Sequence, residues 1–134
     1  MALCSKVERV NPLQSSEAGG RRRSEHAPLH AADRLRSDAW AALAQNPEDR
    51  SEAFGRLAES MGGRLLSFYN CFGEYDVVVI YEAPDPSTAA AIEVAARVPG
   101  HLTTVKTTAL LSAEEGLEAM RKAGEAEHRR PGQQ

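Results

Sequence analysis

The chain has 134 residues, of which 42% are hydrophobic and 26% charged, with a net charge of −3. That suits one packed domain with some chain to spare and excludes wholesale disorder. Residues 1–36 carry seven basic and four acidic side chains and residues 37–134 nine and fifteen, so the bulk of the chain is acidic and a poor nucleic-acid binder, which needs clustered Lys and Arg.

Residues 1–36 are expected to form a disordered extension, or to be the product of a misplaced start. The stretch around Gly19-Gly20 and residues 21–23 is polar, Gly/Ser-rich and aperiodic. Its three consecutive arginines either touch an anionic partner or are solvated charge. No apolar segment of the signal-peptide kind opens the chain, and no run approaches the ~20 apolar residues of a membrane span. Cys4 and Cys71 are too few for a disulfide framework, and a reducing cytoplasm is the expected compartment.

Ordered structure is expected from Ser37, over residues 37–123. Ser37 can cap a short helix with Trp40, Leu43 and Ala44 on one face. Asn46-Pro47-Glu48-Asp49 is a second start signal, with Asn46 as cap. The helix it opens carries Phe54, Leu57, Ala58 and Met61 at spacings of three and four and stops at Gly62-Gly63. Residues 64–72 and 75–82 predict a β-hairpin about a tight Gly73-Glu74 turn. The second strand is apolar at nearly every position, so both its faces are expected to be covered, one by the chain's own helices and the other by a partner.

Asp85-Pro86 opens an alanine-rich helix that Pro99-Gly100 ends. Residues 101–111 form a threonine-rich strand, and Ser112-Ala113-Glu114-Glu115 is a capping box for a last helix to about Ala123. The tail, residues 124–134, is polar and expected to fray. From residue 46 the order is helix, strand, strand, helix, strand, helix. One further strand at the start makes an α+β, ferredoxin-like βαββαβ sandwich with an extra C-terminal helix. The available stretch, residues 27–36, has no β-branched residue and three charges, which makes it a doubtful first strand.

Asn46-Pro47-Glu48-Asp49-Arg50, Gly62-Gly63, the block from Ser67 to Asp76, Ile80-Tyr81-Glu82-Ala83-Pro84-Asp85 and Lys106-Thr107-Thr108 together resemble the GYD-domain family. These small bacterial and archaeal proteins are named for a signature that falls here on Gly73, Tyr75 and Asp76. The resemblance covers residues 37–123. It implies a dimeric α/β-barrel of the ferredoxin-like kind, in a family for which no general biochemical activity is established. Family members usually open with a hydrophobic strand, whereas Leu29 to Arg36 carries Arg and His. The departure implies either a shifted reading frame or start upstream of Ser37, or a degraded edge strand that leaves one flank of a three-stranded sheet exposed.

The candidate ligand-binding residues are Tyr69, Tyr75, Asp76 and Tyr81. Asp76 opens the most apolar strand, so it either accepts hydrogen bonds in a cleft or satisfies turn amides and pairs with a residue such as Arg50. Tyr69 and Tyr81 either line a pocket or pack in a core or interface with the hydroxyl at the rim. Ferredoxin-like dimers that are similar to this chain include cofactor-independent monooxygenases and isomerases. On that analogy His101, Tyr69 and Asp76 are the first suspects for catalysis. No metal site is expected, since no second histidine or cysteine stands at ligand spacing from His101. Cys71 reads as a buried structural thiol. The expected function is that of a homodimer, joined through a sheet face, that binds a small molecule or regulates a partner without a cofactor. The alternative is a cofactor-independent enzyme.

Overall fold

A computed structural model describes residues 26–127 and 129–132. Cys4, the arginines at 21–23 and most of the expected N-terminal extension lie outside the described residues. The elements run β1 (Ala27–Leu35), α1 (Ser37–Gln45), α2 (Arg50–Ser60), β2 (Arg64–Asn70), β3 (Val77–Ala83), α3 (Pro86–Arg97), β4 (Leu102–Ala109) and α4 (Ala113–Glu125). The strands form one antiparallel sheet in the order β2-β3-β1-β4, the ferredoxin-like arrangement with α1 and α4 added.

The first strand corrects the sequence-based expectation in two ways. Residues 27–35 form β1, so the ordered domain starts before Ser37. β1 also lies inside the sheet, paired with β3 on one side and β4 on the other. It is no degraded edge, and the sheet has four strands. Strand propensity measures how side chains fit a pleated, half-covered surface and is easily overridden by neighbours. Here Val77, Val78 and Val79 of β3 stand opposite Asp33, Ala32 and Ala31. The branched side chains come from the flanking strands, and small alanines fill the middle.

One face of the sheet is covered by α2 and α3. Leu29 and Ala31 of β1, Val77, Val79, Tyr81 and Ala83 of β3, Ala58 of α2, and Ala89 and Ile92 of α3 form the buried core, with Phe54, Leu57, Met61, Leu65 and Phe68 packed against it. The register of β3 therefore resolves which of its residues turn where. Val77, Val79 and Tyr81 face the helices, and Val78 and Ile80 face away from them. Gly63 makes the close joint between α2 and β2. A Cβ there would stand 2.5 Å from the Glu82 carbonyl oxygen and 3.2 Å from that of Ala58.

Local signals differ from expectation by a residue or two. Ser37 is the first residue of α1, whose N-cap is Arg36 with no side-chain cap bond. Ala39 and Leu43 are the half-buried positions of α1, while Trp40 and Ala44 are exposed. Asn46 closes α1, and Asp49 caps α2 by accepting from the Ser51 amide at 2.9 Å. Asp85 caps α3 through the Thr88 amide at 2.7 Å, with Pro86 in its first turn. The Ser112–Glu115 capping box opens α4 as expected. The β2–β3 connection is wider than a two-residue turn, running from Cys71 to Asp76 with the Cys71 amide donating to the Asp76 carbonyl at 2.9 Å. Phe72 stands fully exposed at its tip. Cys71 is half-buried and outside β2, its Sγ 3.2 Å from the Tyr75 carbonyl oxygen.

Candidate functional site

Between the sheet and the helices opens a cleft of about 150 Å³. Its walls are hydrocarbon, from Phe54 and Leu57 of α2, Phe68 of β2, Val77 and Val79 of β3, and Leu102 of β4. At its mouth stand Leu35, Arg50, Pro99 and His101, which also line a second hollow of about 430 Å³ beneath Ala39 and Leu43 of α1. The two spaces share these four residues and form one recess at the end of the sheet where β1 finishes and β4 starts.

Asp33 lines the inner cleft. The strand period that turns Leu29 and Ala31 toward the helices turns Asp33 the same way. It is 7% exposed, and its Oδ1 is buried with no hydrogen-bond partner among the described residues. A buried polar atom without a partner is uncommon and calls for an explanation. Burial, aided by the nearby Glu93 carboxylate and opposed by Arg97, pushes the Asp33 carboxyl up to about 7. Both neighbours have partners of their own. Glu93 Oε1 accepts the Tyr81 hydroxyl at 2.6 Å, and Arg97 donates to the Val105 carbonyl at 3.0 Å. At the mouth, burial and the Arg50 guanidinium hold His101 below the ordinary imidazole range. Arg50 Nη1 meets Glu48 Oε1 at 2.7 Å.

Of the candidate catalytic and ligand-binding residues, only His101 lies on this recess. Tyr81 is fully buried behind the cleft, its ring edge-on to Phe54 at 5.4 Å and 71°. Burial and the bond to Glu93 raise its hydroxyl far above the usual phenol range. Asp76 sits at the opposite end of the β2–β3 connection from Phe72, where its Oδ2 accepts the Leu35 amide at 2.9 Å and its own amide donates to the Asp33 carbonyl. That bond falls at the register shift between Arg34 and Leu35 in the β1–β4 pairing. Asp76 thus takes up an amide that the ladder leaves over. Tyr69, 61% exposed, pairs with Val78 on the face away from the helices. Tyr75 lies under Lys106, whose Nζ is 5.5 Å from the ring centroid. His101, Tyr69 and Asp76 are therefore not brought together, and neither are the four candidate ligand residues.

The residue that sequence reading passed over is Asp33. Its signal in the sequence is an acidic side chain at strand period with Leu29 and Ala31, in a segment whose composition argues against a strand. Among the described residues no group of three or more His, Cys, Asp or Glu side chains could hold a metal ion.

A model of the GYD domain matches residues 32–120. The crystal structure of MtbAldR is similar at 14% identity and a TM-score of 0.47, over 64% of this chain and 52% of that one. This chain therefore spans about half the length of that protein. An uncharacterised NIPSNAP-like domain protein from Burkholderia xenovorans is similar at 19% identity and a TM-score of 0.42, over 66% of this chain and 85% of that one. No curated protein sequence matches the chain.

Proposed function

Because this chain belongs to the GYD-domain family, we propose that it works as a homodimeric small-ligand-binding domain, with the recess between sheet and helices as the ligand site. The observation that carries the reading is Asp33, a buried carboxyl with an unpartnered oxygen in a hydrocarbon-walled cleft. Leaving such a group unpaired costs about 1–3 kcal/mol, and an occupant that supplies a hydrogen bond removes that cost. A cavity on the order of 150 Å³ accommodates something the size of a benzene ring. The dimer would form through the sheet face away from the helices, where Ala32, Val78 and Ile80 make an apolar strip across β1 and β3. Native mass spectrometry of protein taken directly from cells tests the whole reading. A dimer with a releasable small mass, lost in Asp33→Leu, supports it, and a dimer whose Asp33→Leu form keeps the same mass removes the cleft from it.

A second reading, a cofactor-independent enzyme, draws support from the same recess. Asp33, pushed up to about 7, and His101, held below its ordinary range and so a neutral imidazole, place two groups able to take up or give up a proton in one recess. Under this reading, exchange of a carbon-bound proton of a small carbonyl compound into D2O is accelerated by the protein. That rate would follow a titration near pH 7 and disappear in Asp33→Asn.

A further inference from the structure

The recess is polar at its two ends and apolar between them. At the inner end, Asp33 stands in the middle of the sheet, opposite Val77 of β3 and Val105 of β4. The side chains of the cleft wall around it, Phe54, Leu57, Phe68 and Val79, have nothing to donate to a carboxyl oxygen. At the outer end stand two nitrogen-bearing side chains, Arg50 and His101, which line both the cleft and the hollow beneath α1. Glu48 lines that hollow too and is engaged by Arg50 through Nη1. That contact occupies one nitrogen of a guanidinium that has five donors in a planar fork suited to carboxylates.

We propose that the recess binds a hydroxy-carboxylic acid with a compact apolar body, its hydroxyl on Asp33 and its carboxylate at Arg50 and His101. The proposal rests on the recess being a ligand site and adds the chemistry of the ligand. A hydroxyl suits the inner end better than an ammonium does. It donates to an ionised carboxylate and also accepts from a protonated one, and a carboxyl poised near neutrality presents both forms. An ammonium would also carry an unsolvated charge into a hydrocarbon-walled space. The apolar body fits between Phe54 and Phe68, and the carboxylate stays at the wetter mouth beside Arg50.

Four probes of one shape test this: 4-hydroxybenzoate, phenol, benzoate and toluene, titrated into the full-length protein with amide shifts of the cleft residues as readout. The expected result is that 4-hydroxybenzoate binds about tenfold or more tighter than phenol or benzoate, the difference that one hydrogen bond to a charged group makes. Asp33→Leu then reduces 4-hydroxybenzoate to the level of benzoate, and Arg50→Gln reduces it to the level of phenol. Should Asp33→Leu fail to fold, Arg50→Gln at the rim decides alone. Four probes of equal affinity overturn the two-ended ligand while leaving the cleft a binding site. No shift of the cleft amides with any probe overturns the ligand and the site together.

Discussion

The pH dependence of stability is expected to centre on Asp33. Its carboxyl titrates near 7 in the folded chain against 3.8 ordinarily, so between about pH 4 and pH 7 the folded state keeps a proton that the unfolded state releases. Stability therefore falls as pH rises through that window, by at most about 4 kcal/mol from this group. Asp33→Asn has no such titration. In urea unfolding the variant should gain on the parent chain between pH 4 and pH 8, and an equal difference at the two values would show that Asp33 ionises normally. Gly63 acts by the opposite means, absence of a side chain. The Cβ of Gly63→Ala would sit 2.5 Å from the Glu82 carbonyl oxygen, which backbone cannot tolerate without moving. A loss of about 1–3 kcal/mol is expected, read as a lower midpoint at unchanged m-value.

At the scale of elements, β1 is held by its neighbours more than by its own composition. It lacks β-branched residues, yet it lies inside the sheet between two partners, β3 and β4. Its end is fixed by Asp76, which reaches from the β2–β3 connection to the Leu35 amide across 41 residues of sequence. Asp76→Ala leaves that amide without its acceptor at the register shift, at a cost of about 1–3 kcal/mol. Hydrogen exchange should then quicken at Leu35 and at the cleft mouth beside it, while exchange in the middle of β3 follows the global change only. Exchange at Leu35 that does not change on substitution would mean the bond is not formed in solution. The helices divide along similar lines. α2 and α3 bury Ala58, Ala89 and Ile92, whereas α4 buries nothing and exposes Leu117 and Met120 despite its full capping box. Local signals make α4 a helix, and packing within the described chain has no hold on it.

For the whole molecule the two faces of β3 make separable predictions. Val79 is 1% exposed under the helices, whereas Ile80 points to the opposite side of the sheet. Val79→Asp places a charge in the core and should unfold the chain, since an unpaired buried charge is among the costliest substitutions. Ile80→Asp should leave circular dichroism intact and convert a dimer to a monomer in light scattering. A folded dimer that tolerates Ile80→Asp would place the interface elsewhere. The recess lies on the far side of the sheet from this strip, so ligand binding and dimerisation are expected to tolerate each other's substitutions.

The sequence by itself determined the helices, the hairpin and the order of elements, because caps, prolines, glycines and apolar spacings act within a few residues of one another. Asp85 and Ser112 each satisfy amides in their own helix, and such signals are legible without any tertiary context, although at α2 the cap is Asp49 and not Asn46. The sequence also carried the family, through the block from Ser67 to Asp76. Tertiary structure alone decided the rest. β1 became a strand because β3 and β4 lie on either side of it, a relation between residues 44 to 80 positions apart. Asp33 lines the cleft because that pairing turned it under α2 and α3, away from water. His101 joined it at the recess, and Tyr69, Tyr75 and Asp76 did not. Which side of a sheet a residue occupies depends on register, and register is fixed by long-range pairing that no local signal encodes.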